Sequence, residues 1–170
     1  MPKEPIDPAG IAWSRVSPKY ITVRLIGWAA ATLVGTAVLS VPLVLTLSGI
    51  WPAFPLWLAW LLPALELAVA LWRGALIPRQ TRAIGYAERD DDLLIRGGIF
   101  FQRVMVVPYG RMQYVDVAVG PLERAFGLAS IKLHTASPAT IAALPGLPEA
   151  EAARLREQLS ARGQARLAGL

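Results

Sequence analysis

Few residues in this chain have the means to do chemistry, and that scarcity is the first constraint on function. Its 170 residues include no cysteine, so no thiol nucleophile, disulfide or thiolate zinc site can be built. The single histidine, His134, leaves little from which to assemble a histidine metal site or a Ser-His-Asp triad, and it stands at an outward position of an alternating stretch. Asp90, Asp91 and Asp92 are consecutive acids, but the further spaced ligands and closing glutamate of a calcium loop are missing, so the triplet reads as a solvated hairpin tip. No nucleophile–base pair is visible, and no catalytic residue, metal ligand or cofactor is expected.

Glu66 is the exception. It is the one formally charged residue among the 48 from Leu25 to Trp72. A charge at the bilayer centre costs about 2.5–3.5 kcal/mol on insertion scales, which makes an ionisable residue there a candidate functional group. Three roles fit: a structural hydrogen bond, with the Thr32 hydroxyl as the partner at matching depth, or snorkelling to the inner interface; a polar contact to a second membrane subunit; or proton or ion transport. With no basic mate in the apolar run, transport has the least support.

The element that must position Glu66 is a pair of membrane crossings. Residues 25–47 and 56–72 are apolar, and about 20 apolar helical residues cover the roughly 30 Å hydrocarbon layer. Between them, Ser48 to Pro55 forms a turn containing Trp51, Pro52 and Pro55, suited to the membrane interface. A soluble domain of this size could not bury two such helices on all sides, and the first run starts too late and is too long for a signal peptide. Gly27, Ala31 and Gly35 recur every fourth residue, a small-residue row that predicts close packing against Ala64 and Ala68. Pro42 and Pro63 are expected to kink the crossings.

Basic residues set the expected orientation. Lys3, Arg15, Lys19 and Arg24 precede the first crossing, Arg73, Arg79 and Arg82 follow the second, and the connecting loop has none. The positive-inside rule then places both termini in the cytoplasm, with Arg24, Arg73, Arg79 and Arg82 at the headgroups. Net charge is +5 and the isoelectric point about 10.1. Because the basic residues flank the apolar runs and mix with acids, nucleic acid is not an expected partner.

From Ala83 the pattern changes to alternation, the signature of strands. Strands are expected over 84–88 and 93–96 around the acidic turn, then over 99–107 after a Gly97-Gly98 hairpin turn, 113–120 and 130–135, with a weaker one over 140–144. Val115, Val117 and Val119 share one face, and Ile131 and Leu133 point inward. Pro148 is suited to the first position of a closing helix in which Ala152, Leu155 and Leu159 form an apolar stripe.

The blocks Leu93 to Ile99, Pro108-Tyr109-Gly110-Arg111-Met112-Gln113, Gly120-Pro121-Leu122-Glu123-Arg124-Ala125-Phe126-Gly127 and Leu144-Pro145-Gly146-Leu147 resemble the bacterial pleckstrin-homology (PH)-like membrane proteins, in which a two-helix hairpin precedes one PH-like domain. The resemblance implies a membrane helical hairpin plus a mainly-β domain of antiparallel strands, a partly open barrel capped by a C-terminal helix. Leu122 and Phe126 are expected to face inward and plug one end. The implied organisation is a flexible cytoplasmic segment (1–24), the hairpin (25–72), a juxtamembrane linker (73–82), the PH-like domain (83–162) and a tail (163–170), in a bacterial inner membrane. The Asp90–Asp92 tip would repel phosphate, unlike the basic cradle of phosphoinositide-binding PH domains. The expected function is non-enzymatic: a protein-interaction or assembly module that forms homo-oligomers or joins a second membrane protein. The other reading is a module for anionic lipid headgroups or a small ligand. Under either reading Arg96, Arg103, Arg111 and Lys132 are the contact candidates.

Overall fold

The computed structural model describes residues 10–135 and 141–167, and for residue 141 and residues 165–167 it describes the backbone alone. The chain forms two compact units, Arg24–Pro78 and a second one made of the residues before 24 together with those from Arg79 onward.

The first unit is helical. Helix α1 spans Lys19–Leu39, α2 Val41–Leu47 and α3 Leu56–Ala83. Lys19–Leu47 and Leu56–Ala83 are 29 and 28 residues long, and their most apolar 18-residue stretches have mean hydropathies of 2.0 and 1.5, long and apolar enough to cross a membrane. The break between α1 and α2 falls at Ser40, two residues before Pro42, whose missing N–H cannot continue the ladder. Pro63 and Pro78 instead lie inside an uninterrupted α3. Residues 73–82, read as a linker, are therefore helical and rise about 15 Å where an extended chain would reach about 33 Å.

Small residues do line the seam between these helices, but a different set from the one expected. Gly27 has open space where a side chain would stand, and Ala31, Ala64 and Ala68 are exposed. The buried side of α3 runs through Ala59, Pro63, Ala70 and Gly74. Trp28 supplies the fit: its indole Nε1–H donates to the Ala70 carbonyl at 3.0 Å, and a Cβ added to Gly74 would stand 2.8 Å from its ring. A large residue on α1 thus fills the notch left by glycine on α3.

The second unit is built on two antiparallel sheets. One has the order β1 (Ser14–Arg15), β2 (Gly85–Glu88), β3 (Asp92–Gly97), β4 (Arg103–Pro108); the other has β5 (Met112–Ala118), β6 (Leu128–Thr135), β7 (Ile141–Pro148). A 3-10 turn at Tyr109–Arg111 joins them without closing the sheets into a barrel. Helix α4 (Pro121–Ala125) bridges β5 and β6, and α5 (Glu149–Leu167) covers the core. Alternation was a sound guide here: Ile131 and Leu133 are buried, and Val115, Val117 and Val119 pack against the same cluster. Ala152, Leu155 and Leu159 close it from α5.

Several local expectations change. The segment before the first crossing is not without structure: Ser14 and Arg15 pair with Tyr86 and Gly85, Val16 enters the core, and the Ser17 N–H donates to the Gly146 carbonyl at 2.9 Å. Residues 99–102 are loop, not strand, entered through Gly98, whose positive φ of 93° turns the chain out of β3. The last strand is firm, pairing with β6 from Ile141 to Pro148, so Pro148 ends a strand and the helix starts at Glu149. Residue 140, the first of the weaker strand expected over 140–144, lies outside the described residues. Helix α5 runs past residue 162 to Leu167, with Gly163 buried. Of the two residues expected to face inward from this block, Leu122 is 40% exposed and Phe126 is half-buried. Glu123 explains its block instead, since its carboxylate accepts the Gly120 N–H at 2.9 Å and the Ser130 hydroxyl at 2.6 Å, tying the start of α4 to β6.

Candidate functional site

The residues singled out from the sequence fall in separate places. In the helical unit, Glu66 is half-buried on α3, and its Oε1 lies 3.0 Å from where a Gly35 Cβ would stand. It makes no hydrogen bond to Thr32, which sits almost a turn away on α1. The neighbouring Thr36 hydroxyl is buried without a hydrogen-bond partner. Gly35 thus provides the room in which the carboxylate is accommodated. Arg24 and Arg73 belong to this unit, and Arg79 and Arg82 to the other; Arg73, Arg79 and Arg82 are exposed on α3.

In the sheet unit, Arg96 and Arg103 come together. Gly97 pairs with Arg103 at the end of the β3–β4 ladder, and both arginines line a groove of about 650 Å³ with Ile84, Ile95, Phe101 and Met105. Arg111 lies in the 3-10 turn beyond the other end of β4, a six-residue strand or about 20 Å away. Lys132 is opposite Asp116 in the β5–β6 register, where an acid offsets its charge. The four cations therefore do not converge on one cradle. His134 stacks on Tyr114 with ring centroids 4.1 Å apart and is occupied by that contact.

Two polar clusters fasten α5 to the sheets. Tyr86 donates to Glu151 at 2.6 Å, and Arg154 reaches both Glu151 and Glu88. Burial, reinforced by the adjacent Glu151 carboxylate, pushes the Tyr86 phenol up to about 12. The Arg154 hydrogen bonds hold Glu151 below the usual carboxylate range, and those carboxylates in turn raise Arg154. In the second cluster the Tyr109 hydroxyl donates to the Arg89 carbonyl at 3.0 Å while Arg162 donates to both, and the guanidinium lies 5.2 Å from the Tyr109 ring centre. Burial raises the Tyr109 phenol. At the acidic tip, Arg89 is paired with Asp92. Both clusters are saturated with internal partners and serve architecture. Among the described residues no three His, Asp or Glu side chains are grouped as metal ligands.

Sequence reasoning missed the loop Gly98–Gln102. Phe100 and Phe101 are 71% and 90% exposed at its tip. Gly98 holds φ at +93°, and an added Cβ there would lie 2.1 Å from the Phe101 carbonyl oxygen, so glycine is required. The available signal was the Gly-Gly pair followed by two adjacent aromatics, which no half-buried strand would carry.

The chain is 33% identical over 108 residues to the UPF0699 transmembrane protein YdbS of Bacillus subtilis (strain 168), an alignment covering 63% of this chain and 67% of that protein. No solved structure matches it significantly. The sequence profile of the bacterial PH domain matches residues 21–163, most of the chain and both units of the fold. With its two membrane-length apolar helices and its pair of open antiparallel sheets capped by a helix, this membrane protein belongs to the bacterial PH domain family.

Proposed function

We propose that the protein is a non-enzymatic module that works at the cytoplasmic face of a bacterial inner membrane by binding a second membrane subunit, either another copy of itself or a different protein. The observation that carries this reading is the open edge between the sheets. β4 and β5 are consecutive in the chain yet not paired with each other, so each ends its sheet with backbone groups available for an added strand. Val106 and Tyr114, on those strands, are 50% and 56% exposed. Beside β5 a groove lined by Gln113, Tyr114, Ser160 and Gln164 gives an incoming segment a polar wall.

The arrangement of the units supports an even number of crossings. The residues before 24 and those from Arg79 onward belong to one compact body, so the chain leaves it before the first crossing and returns to it after the second. Both membrane boundaries are then on one side, and the basic flanks favour the cytoplasmic one. Arg24, Arg73, Arg79 and Arg82 are assigned to headgroup contact on the same ground.

The test uses the absence of native cysteine. In Tyr114→Cys, oxidation or a short bis-maleimide in native membranes is expected to give a covalent dimer or an adduct with another membrane protein, and the unlabelled chain in mild detergent is expected to run above monomer mass. A strictly monomeric particle and no adduct would reject the reading. A cysteine placed at residue 170 should resist an impermeant maleimide applied to intact cells; labelling from outside would reject the topology.

A further inference from the structure

The β3–β4 loop presents features that the association surface does not use. Phe100 and Phe101 project at its tip, and Gly98 fixes the turn that displays them. The register places Arg15, Gly85 and Arg96 in one row across β1, β2 and β3, while Arg103, opposite Gly97 one step on, stands on the other face, so the arginines flank the tip from both sides. Directly opposed residues face the same side of an antiparallel sheet. The bare Gly85 lets the Arg96 side chain lie across β2: a Cβ there would be 3.2 Å from Arg96 Nε, and the guanidinium reaches a point 4.6 Å above the Trp13 ring. From Leu93 to Val115 the sequence contains three arginines and no acid.

We propose that this tip is a lipid-inserting wedge, with Phe100 and Phe101 entering the interfacial region of a bilayer and Arg15, Arg96 and Arg103 collaring it against anionic headgroups. Adjacent exposed aromatic side chains flanked by arginines, in a stretch of sequence that carries no acid from Leu93 to Val115, match the chemistry of an anionic membrane interface. A protein partner is the weaker fit, because two side chains on a narrow tip fall far short of the roughly 1,000 Å² that a stable protein interface needs. The bilayer is also the one surface this chain carries with it, since two of its helices are of membrane-crossing length. Tethering turns a weak wedge into an occupied one by raising its effective concentration at the lipid. The proposal stands whether or not the β4 and β5 edges bind a subunit.

The experiment places a single NBD fluorophore on Gln102→Cys in the full-length chain, reconstituted at one chain per nanodisc so that no second copy is present. Nanodiscs of phosphatidylcholine alone are compared with ones containing phosphatidylglycerol, using doxyl-labelled lipid and aqueous iodide as opposing quenchers. A probe on the exposed Ala161→Cys site serves as the aqueous reference. The wedge predicts blue-shifted emission at 102, quenched by doxyl lipid and protected from iodide, more so with phosphatidylglycerol. Phe100→Ser with Phe101→Ser should return the probe to the iodide-accessible state of the reference. Arg96→Gln and Arg103→Gln should each lower the inserted fraction about fivefold in the anionic nanodisc. Three results would overturn the proposal: iodide quenching at 102 equal to that at 161, lipid quenching that survives the double serine change, or protection from both quenchers.

Discussion

The two units are held together by different means, and the contrast explains which parts of each could be read in advance. In the helical pair the backbone satisfies itself, and lipid is as apolar as the side chains, so the helices are drawn together by shape: Trp28 against Gly74 and the Ala70 carbonyl, Gly35 against Glu66. In the sheet unit water drives association, and sixteen buried residues from Val16 to Leu159 converge on one cluster. One unit is sensitive at a few notches, the other throughout its interior.

The largest effect should come from the sheet unit. Leu155→Ala removes a side chain with no exposure at the centre of α5 and should cost about 2–5 kcal/mol. Denaturation of the full chain in detergent should show the sheet signal melting early while the helical signal and carbonate-resistant membrane association persist. If the two were lost together, the units would not be energetically separable.

Gly146→Ala comes next. Its φ is +71°, and an added Cβ would meet the Tyr20 ring at 2.3 Å. The left-handed backbone alone costs about 1–2 kcal/mol and the clash adds to it. A melting temperature equal to wild type would show that Tyr20 can turn away freely.

A smaller effect is expected in the helical pair. Gly74→Val should push Trp28 off its notch at an overpacking cost of about 1–3 kcal/mol. The change should weaken an engineered disulfide between α1 and α3 while leaving denaturation of the sheet unit unchanged. Disulfide yield equal to the parent would mean the Trp28–Gly74 contact contributes nothing to pairing.

The smallest effect is a pH dependence. Tyr86 has a raised pKa of about 12 against 10.0, so its contribution is complete below pH 10 and is lost as pH rises through about 12. Glu151 is shifted down, so its contribution is present above its ordinary value of 4.5 and is lost as pH falls through the lower folded value. Tyr86→Phe should cost about 1 kcal/mol near neutrality and flatten the alkaline limb of stability. An alkaline limb as steep as that of wild type would assign it to other groups.

The same contrast decides what was legible. Helices of membrane-crossing length are written in composition, so their presence as a pair followed from a run with Glu66 as its one charge. Their seam was not legible, because every fourth residue is small on more than one side of the helix and only geometry selects Gly74 over Ala68. In the sheet unit, alternation located β2, β3, β5 and β6 and the inward faces of Val115, Ile131 and Leu133. It failed at Ile99-Phe100-Phe101, where an apolar run meant exposure, and it placed a strand over 140–144 but stopped it short of Pro148, where β7 ends. β1 was missed for another reason: two residues carry no periodicity, and Ser14 and Arg15 become a strand only because Gly85 and Tyr86 are there to receive them. The separation of Arg96 and Arg103 from Arg111 and Lys132 likewise depends on register, which no local pattern reveals.

That two-residue strand bears on the order of assembly. Arg15 leaves the ribosome seventy residues before Gly85, the neighbour it must pair with. Everything between them includes both apolar helices, so closing this contact requires the intervening segment to be integrated first and then ties the two ends of the insert into a ring. The edge of β2 stays bare until that moment, and a chain stalled before it would be open to proteases there, while the neighbouring Ser17 waits longer still, for the Gly146 carbonyl.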